Sequence, residues 1–324
     1  MIRAGAFCVL LSALPLGAET LSLSPPIACD LEKDCHIQQY VDHDPGPGVT
    51  DFTCGSLSYD GHKGTDFALP SLARMQEGVD VLASAAGRVV AIRDGMADMP
   101  FTGSGDDDGK ECGNGVLLRH EGGWETQYCH LQEGSVIVAK GQSVATGDVL
   151  GRVGLSGKTQ FPHVHLSVRH NGAVIDPFAP TKPSATTCTP PIDLAAAPTL
   201  WAAPLAYEPG GLISLGFASA VPAYDAIKAG TAAAAVLPTA SPALVLWAHA
   251  YGSRPGDALA LTIDAPDGPW FAIDVVLDKA QAQYFRAAGR KSRAPLPPGT
   301  WRGTVILLRD GQEIDRRETQ ITVQ

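Results

Sequence analysis

Short apolar or alternating stretches, broken by glycine turns, constrain this chain to a β fold from Cys54 onward. Val79–Ala83, Gly87–Ile92, Val116–His120 and Thr126–His130 have the length and residue types of strands, and Gly122-Gly123 between the last two predicts a hairpin. No segment of useful length between Cys54 and Phe178 repeats its apolar residues at the helical period, so this part should be almost all β. A second set of strands follows Leu205: Leu244–Ala250, Ala258–Ile263, Phe271–Leu277, Trp301–Leu308 and Glu318–Val323, separated by Pro-Gly and Asp-Gly turns. Their spacing predicts an immunoglobulin-like β-sandwich, with one helical segment, Lys279 to Gly289, crossing between its sheets.

The expected organisation is therefore a signal peptide (1–18), a stapled lead-in (19–53), a β-domain (54–180), a linker rich in Pro, Thr and Ala (181–204) and a sandwich (205–324). Arg3, the apolar run Ala4 to Leu16 and the small pair Gly17-Ala18 make up the export signal, and no later stretch is long enough to span a bilayer. Removing the signal removes Cys8 and leaves six cysteines: Cys29, Cys35, Cys54, Cys112, Cys129 and Cys188. With no C-x2-C pair present, this even number in an exported chain predicts three disulfides rather than a zinc knot. A periplasmic or secreted location follows.

Charge narrows the partners. A formal net charge of −10, with no basic stripe, excludes nucleic acid and bulk attraction to anionic polymers or lipid surfaces. The Gly- and Asp-rich stretch from Asp94 to Lys110, including Asp106-Asp107-Asp108, lacks the alternating ligands of a calcium loop and is expected to be a solvated insertion.

Chemistry concentrates in two motifs about a hundred residues apart, His62-Lys-Gly-Thr-Asp66 and Pro162-His163-Val-His165. Two imidazoles and a carboxylate are the usual protein ligands of a catalytic zinc, which keeps a fourth position open for water. On a strand, a spacing of two turns His163 and His165 to one face, so that one can hold metal while the other reaches the water.

With the surrounding residues these motifs resemble the lysostaphin-type zinc endopeptidases of bacterial cell walls. The resemblance covers roughly Gly55 to Phe178. It includes Phe67-Ala68-Leu69-Pro70 after the first motif, the Gly87-Arg-Val-Val strand, Gly113-Asn-Gly-Val-Leu-Leu-Arg-His120, Tyr128-Cys-His130-Leu, the Gly141-Gln-Ser-Val to Leu150-Gly151 hairpin rhythm, and Asp176-Pro177. It implies one zinc ion bound by His62, Asp66 and His165, with His163 and His130 as the two working histidines, His163 favoured as base and His130 as stabiliser of the oxyanion. It also implies hydrolysis of peptide cross-links in peptidoglycan. Two departures are visible: Thr159-Gln160-Phe161 replaces a small, glycine-rich tripeptide, and Leu57-Ser58-Tyr59 stands where an arginine is common.

Strand parity extends the reading. Cys129 is expected on the face opposite His130, free to pair, for instance with Cys112, while Tyr128 shares the face of His130 and lines the cleft or fills half-buried sheet. His120 and His170 are expected at the surface, His36, His43 and Asp44 in a solvated lead-in rather than capping the cleft, and His249 remote from the site. Three other functions compete with a wall peptidase. The first is a non-catalytic relative that binds cell wall and activates another hydrolase. The second is a zinc peptidase of glycine-rich protein. The third is a lipoyl-type carrier, for which Lys140 and Lys158 sit in the wrong context. The second domain, without clustered ligands, is read as a binding or packing module with room for a protein partner.

Overall fold

The computed structural model describes residues 20–31, 33–103, 109–181 and 188–324. The expected export signal and the triple-aspartate tip lie outside the described residues. In chain order the first half contains β1 (His36–Gln39), β2 (Thr65–Ala68), the short helix α1 (Leu72–Glu77), β3 (Asp80–Leu82), β4 (Gly87–Arg93), β5 (Asn114–Arg119), β6 (Trp124–Leu131), β7 (Ser143–Val144), β8 (Val149–Arg152), β9 (His163–His170) and β10 (Ala173–Ile175). Eight of these strands form one sheet in the order β1-β2-β9-β6-β5-β4-β7, with β10 added to β9, and β3 and β8 form a separate pair. Almost everything is β, as the turn punctuation predicts.

Alternation explains the layer. Phe67 on β2, Val116 and Leu118 on β5, Tyr128 on β6 and Val164, Leu166 and Val168 on β9 all lie buried in one core. Each such side chain contributes about 1.5–3 kcal/mol through its removal from water. The intervening residues face the other side of the sheet, and the site is built there.

The lead-in is part of this domain. Its β1 pairs with β2, Ile27 bridges to Val81, and Cys29–Cys35 is a disulfide. The expectation of a solvated lead-in fails for two of its histidines. His36 is buried and packs on Tyr251, and His43 Nε2 lies 2.7 Å from Asp176 Oδ2. The expected linker also closes onto the core, where Leu200 and Trp201 are buried, while Cys54–Cys188 ties its beginning to the start of the β-domain. His120 is buried rather than superficial: its ring nitrogens lie 2.7 Å from Ala86 O and 2.9 Å from Thr126 Oγ1, in a space left open by Gly87.

The second half contains β11 (Gly211–Ala218), α2 (Tyr224–Ala229), β12 (Val236–Leu237), β13 (Ala243–Ser253), β14 (Ala258–Ala265), β15 (Gly268–Val276), β16 (Gln281–Lys291), β17 (Gly299–Arg309) and β18 (Gln312–Val323). One sheet has the order β11-β13-β16 and the other β12-β18-β17-β14-β15. They enclose a core that includes Phe217, Leu246, Leu259, Leu261, Trp301 and Val305. The segment expected as a helix, Lys279 to Gly289, is instead most of strand β16. It pairs with β13 from Ser253↔Gln281 to Ala243↔Lys291, and Gly289 lets the two backbones approach closely beside Leu244. Its Ala, Gln and Lys residues favour helix by only tenths of a kcal/mol each, too little to outweigh a ladder along a neighbouring buried strand. The halves touch where Gln283 Nε2 donates to Gln38 Oε1 at 3.0 Å and Gln38 Nε2 donates to Ala282 O at 2.8 Å.

Candidate metal centre

Antiparallel register brings the distant motifs together. Asp66 on β2 pairs with His165 on β9, Ala68 pairs with His163, and Cys129 on β6 pairs with His165 from the other side. Asp66, His163 and His165 therefore face one way, off the core. His62 reaches them from the loop before β2, its ring covered by Tyr59 at 4.4 Å between centroids.

The hydrogen bonds fix which nitrogen of each histidine carries a proton. His62 Nδ1 lies 2.6 Å from Tyr40 O, a carbonyl that can only accept, so Nδ1 is the donor and Nε2 keeps a lone pair. Ser167 Oγ donates to Lys63 O at 2.9 Å and so must accept from His165 Nε2, 3.0 Å away, leaving the lone pair of His165 on Nδ1. These two bare nitrogens are 3.1 Å apart, and Asp66 Oδ1 lies 3.1 Å from the first and 2.8 Å from the second. Three electron-pair donors thus converge with no proton assigned between them. Such a cluster fits a cation, and two imidazoles with one carboxylate fit zinc with a coordination position to spare. Burial opposes ionisation of Asp66, but His62 and His163 outweigh it and hold the carboxyl well below its usual range.

Two further histidines flank the cluster in the same tautomeric state. His163 Nδ1 donates to Phe161 O at 3.0 Å, its ring stacks on Phe161 at 4.5 Å, and its Nε2 lies 3.4 Å from Asp66 Oδ1. His130 Nδ1 donates to Ser156 O at 2.8 Å, and its ring centroid is 4.7 Å from that of His163. Burial, then the neighbouring imidazoles of His163 and His165, push the pKa of His130 well down.

His130 reaches this face through a β-bulge. The β5–β6 register runs from Val116↔Tyr128 to Asn114↔Leu131, so Cys129 and His130 together oppose Gly115, and His130 has φ 65°. The extra residue reverses parity and corrects two expectations. Tyr128 is fully buried on the core side, its hydroxyl 2.7 Å from Ser84 N, and Cys129 lies on the site face beside His165, not behind it. Cys129 is engaged by Cys112 in a disulfide. His170 lies at the far end of β9 against Trp124, and His249 lies in the sandwich.

Sequence reasoning passed over Ser167, Ser156 and Gly64. Ser167 could have been found by parity, two residues beyond His165 on the same strand face. At Gly64 a Cβ would stand 2.5 Å from His165 Nε2 and 2.6 Å from Leu166 O. Gly64→Ala is therefore expected to push His165 off Ser167 and weaken zinc about 10–100-fold, the usual effect of losing a ligand's outer partner. Competition with a chromophoric chelator measures it; an unchanged affinity would refute the close-approach argument.

Comparison with known proteins agrees with the geometry. The sequence model described as Peptidase family M23 matches residues 60–177. The DD-carboxypeptidase/endopeptidase Mpg of Neisseria meningitidis serogroup B is 36% identical over 111 residues, 34% of this chain and 24% of that protein. The peptidoglycan DD-endopeptidase ShyA of Vibrio cholerae is 30% identical over 126 residues, 39% of this chain and 24% of that protein. The match thus spans about a quarter of the length of these curated relatives. Among solved structures, a zinc-containing peptidase from Vibrio cholerae aligns at 23% identity over 48% of this chain and 39% of its own, with a TM-score of 0.33.

Proposed function

Because residues 60–177 belong to peptidase family M23, we propose that this protein is an exported zinc metallopeptidase that hydrolyses peptide cross-links of bacterial peptidoglycan. The observation that carries the reading is the convergence of bare His62 Nε2, Asp66 Oδ1 and His165 Nδ1 beside two non-ligand histidines. The names of the relatives, peptidoglycan DD-endopeptidases, suggest the substrate class. Three disulfides fit an oxidising compartment outside the cytoplasm. No helix among the described residues is long and apolar enough to cross a membrane. For the second half we propose an immunoglobulin-like accessory module, on the strength of its two-sheet strand order.

A zinc ion at the three ligands would supply Lewis acidity and bring the pKa of a water near 7. His163 is placed to be the base. Its outer N–H is committed to Phe161 O, so the proton of the attacking water goes to Nε2, beside Asp66 Oδ1. The same imidazolium can then protonate the leaving amine. His130 also presents a bare Nε2, because its Nδ1–H is held by Ser156 O. In this neutral tautomer it accepts, and it becomes a donor to the oxyanion only after taking a proton.

Mass spectrometry of muropeptides released by the wild type and by His163→Ala tests the proposal. The wild type should bind one zinc and cut cross-links, whereas His163→Ala should retain zinc and lose about 10²–10⁴-fold in rate. A wild type that binds no zinc would leave a non-catalytic wall protein, and unchanged products from His163→Ala would refute its role.

A further inference from the structure

We propose, resting on the reading of His130 as a working histidine, that the Cys112–Cys129 disulfide is a positioning device for His130 and that full activity requires this bond to be oxidised. A non-glycine residue at φ 65° needs support from its surroundings. For His130 that support comes from Cys112 on two sides. The N–H of His130 donates to Cys112 O at 2.8 Å, and Cys129, the residue just before it, is bonded to Cys112 through sulfur. Gly115, opposite the bulge, leaves the room: a Cβ there would stand 2.9 Å from Cys112 Sγ and 2.6 Å from Tyr128 O. Gln127 Nε2 donates to Cys112 Sγ at 3.3 Å, fixing the sulfur from the third side.

The other two disulfides do different work. Cys29–Cys35 closes a small loop of the lead-in, and Cys54–Cys188 joins distant ends of the domain. Only Cys112–Cys129 borders the metal cluster, with Cys129 in register with His165. Without the bond, β6 is free to lose its bulge, and a one-residue shift in parity turns the His130 imidazole off the site face.

Access is one-sided, since Cys112 is partly exposed whereas Cys129 is buried. A small dithiol can attack Cys112 Sγ and expel the Cys129 thiolate, which takes a proton. The second thiol of the reagent then attacks the mixed disulfide and releases Cys112 as a thiol. Two electrons and two protons pass from the dithiol to the protein, and the reagent leaves as a disulfide.

The test replaces both cysteines, Cys112→Ala with Cys129→Ala, in the full chain. Zinc content and KM should be unchanged while kcat falls about tenfold or more, as expected for a displaced catalytic group. In a His130→Ala background the same pair should change kcat no more than about twofold, because the group being positioned is already gone. Histidine-selective NMR supplies a readout independent of activity: the Nδ1–H signal of His130, bonded to Ser156 O, should move or vanish while that of His163 persists. Equal losses of kcat in both backgrounds, or an unmoved His130 signal, would overturn the proposal. If the wild type does not cleave peptidoglycan, the proposed function falls, and the NMR comparison alone decides the positioning role.

Discussion

Replacing Asp66 by alanine is expected to empty the metal centre and lower hydrolysis of peptidoglycan by at least about 10³-fold, the equivalent of the several kcal/mol a catalytic metal supplies. Asp66 is the one carboxylate among His62, His130, His163 and His165, and its Oδ1 lies 2.8–3.4 Å from three of them. Without it, His62 Nε2 and His165 Nδ1 are left as two lone pairs 3.1 Å apart, with neither a third ligand nor a balancing charge. Strand β2 keeps its ladders to β1 and β9, so the fold should survive. Metal analysis of the purified variant, set beside muropeptide release, checks the outcome. Stoichiometric zinc in Asp66→Ala would refute its assignment as a ligand.

Acid should loosen the protein well before its carboxylates titrate. His36 on β1 and His249 on β13 lie buried at the junction of the two halves, and the pKa of each is pushed down to about 4. Burial is the main cause for both. Arg317 adds to it at His36 while Gln38 opposes it, and at His249 the charges of His36 and Lys228 add while Gln283 opposes. Between pH 6.5 and about 4 the unfolded chain binds protons at these positions and the folded chain does not, so stability falls as pH falls through that window. The loss is about 3 kcal/mol for each histidine. His120, His130 and His165, also lowered, act in the same sense, while His43 and His62, which are raised, act against it. Thermal melts across this range should show a steep fall in Tm for the wild type. His249→Asn should flatten the curve, gaining relative stability at the acid end. Parallel curves for the two proteins would reject the buried-histidine explanation.

The strands of both halves were legible because most of them carry their periodicity in local residue types, and the metal ligands because the two motifs are short and chemically distinctive. Errors arose where one residue changed a parity or where a neighbour outweighed a propensity. On β6 the buried residues Thr126, Tyr128 and Leu131 are spaced two and then three, and that change of step was the available sign of the bulge at His130. Overlooking it placed Tyr128 and Cys129 on the wrong faces. The stretch Gln281–Lys291 has the composition of a helix, yet its conformation is decided by β13, some forty residues earlier. His36, His43 and His120 looked solvated because their partners Tyr251, Asp176 and Ala86 lie far along the chain. Gly64 and Ser167 show their purpose only once His165 is in place between them.

Leu23 sits between the two backbone neighbours of Trp201: its N–H donates to Leu200 O and its carbonyl accepts from Ala202 N, each at 2.8 Å. The chain therefore enters and leaves the catalytic half at adjoining points. A unit of this kind is topologically a closed ring with a gap of one contact. It can be permuted to begin at an exposed turn, or inserted as a cassette into a loop of another protein, with joins only a few residues long. Everything after Ala202 then hangs from that unit as a pendant, and evolution can exchange or lengthen it without rethreading a strand of the sheet that carries the histidines.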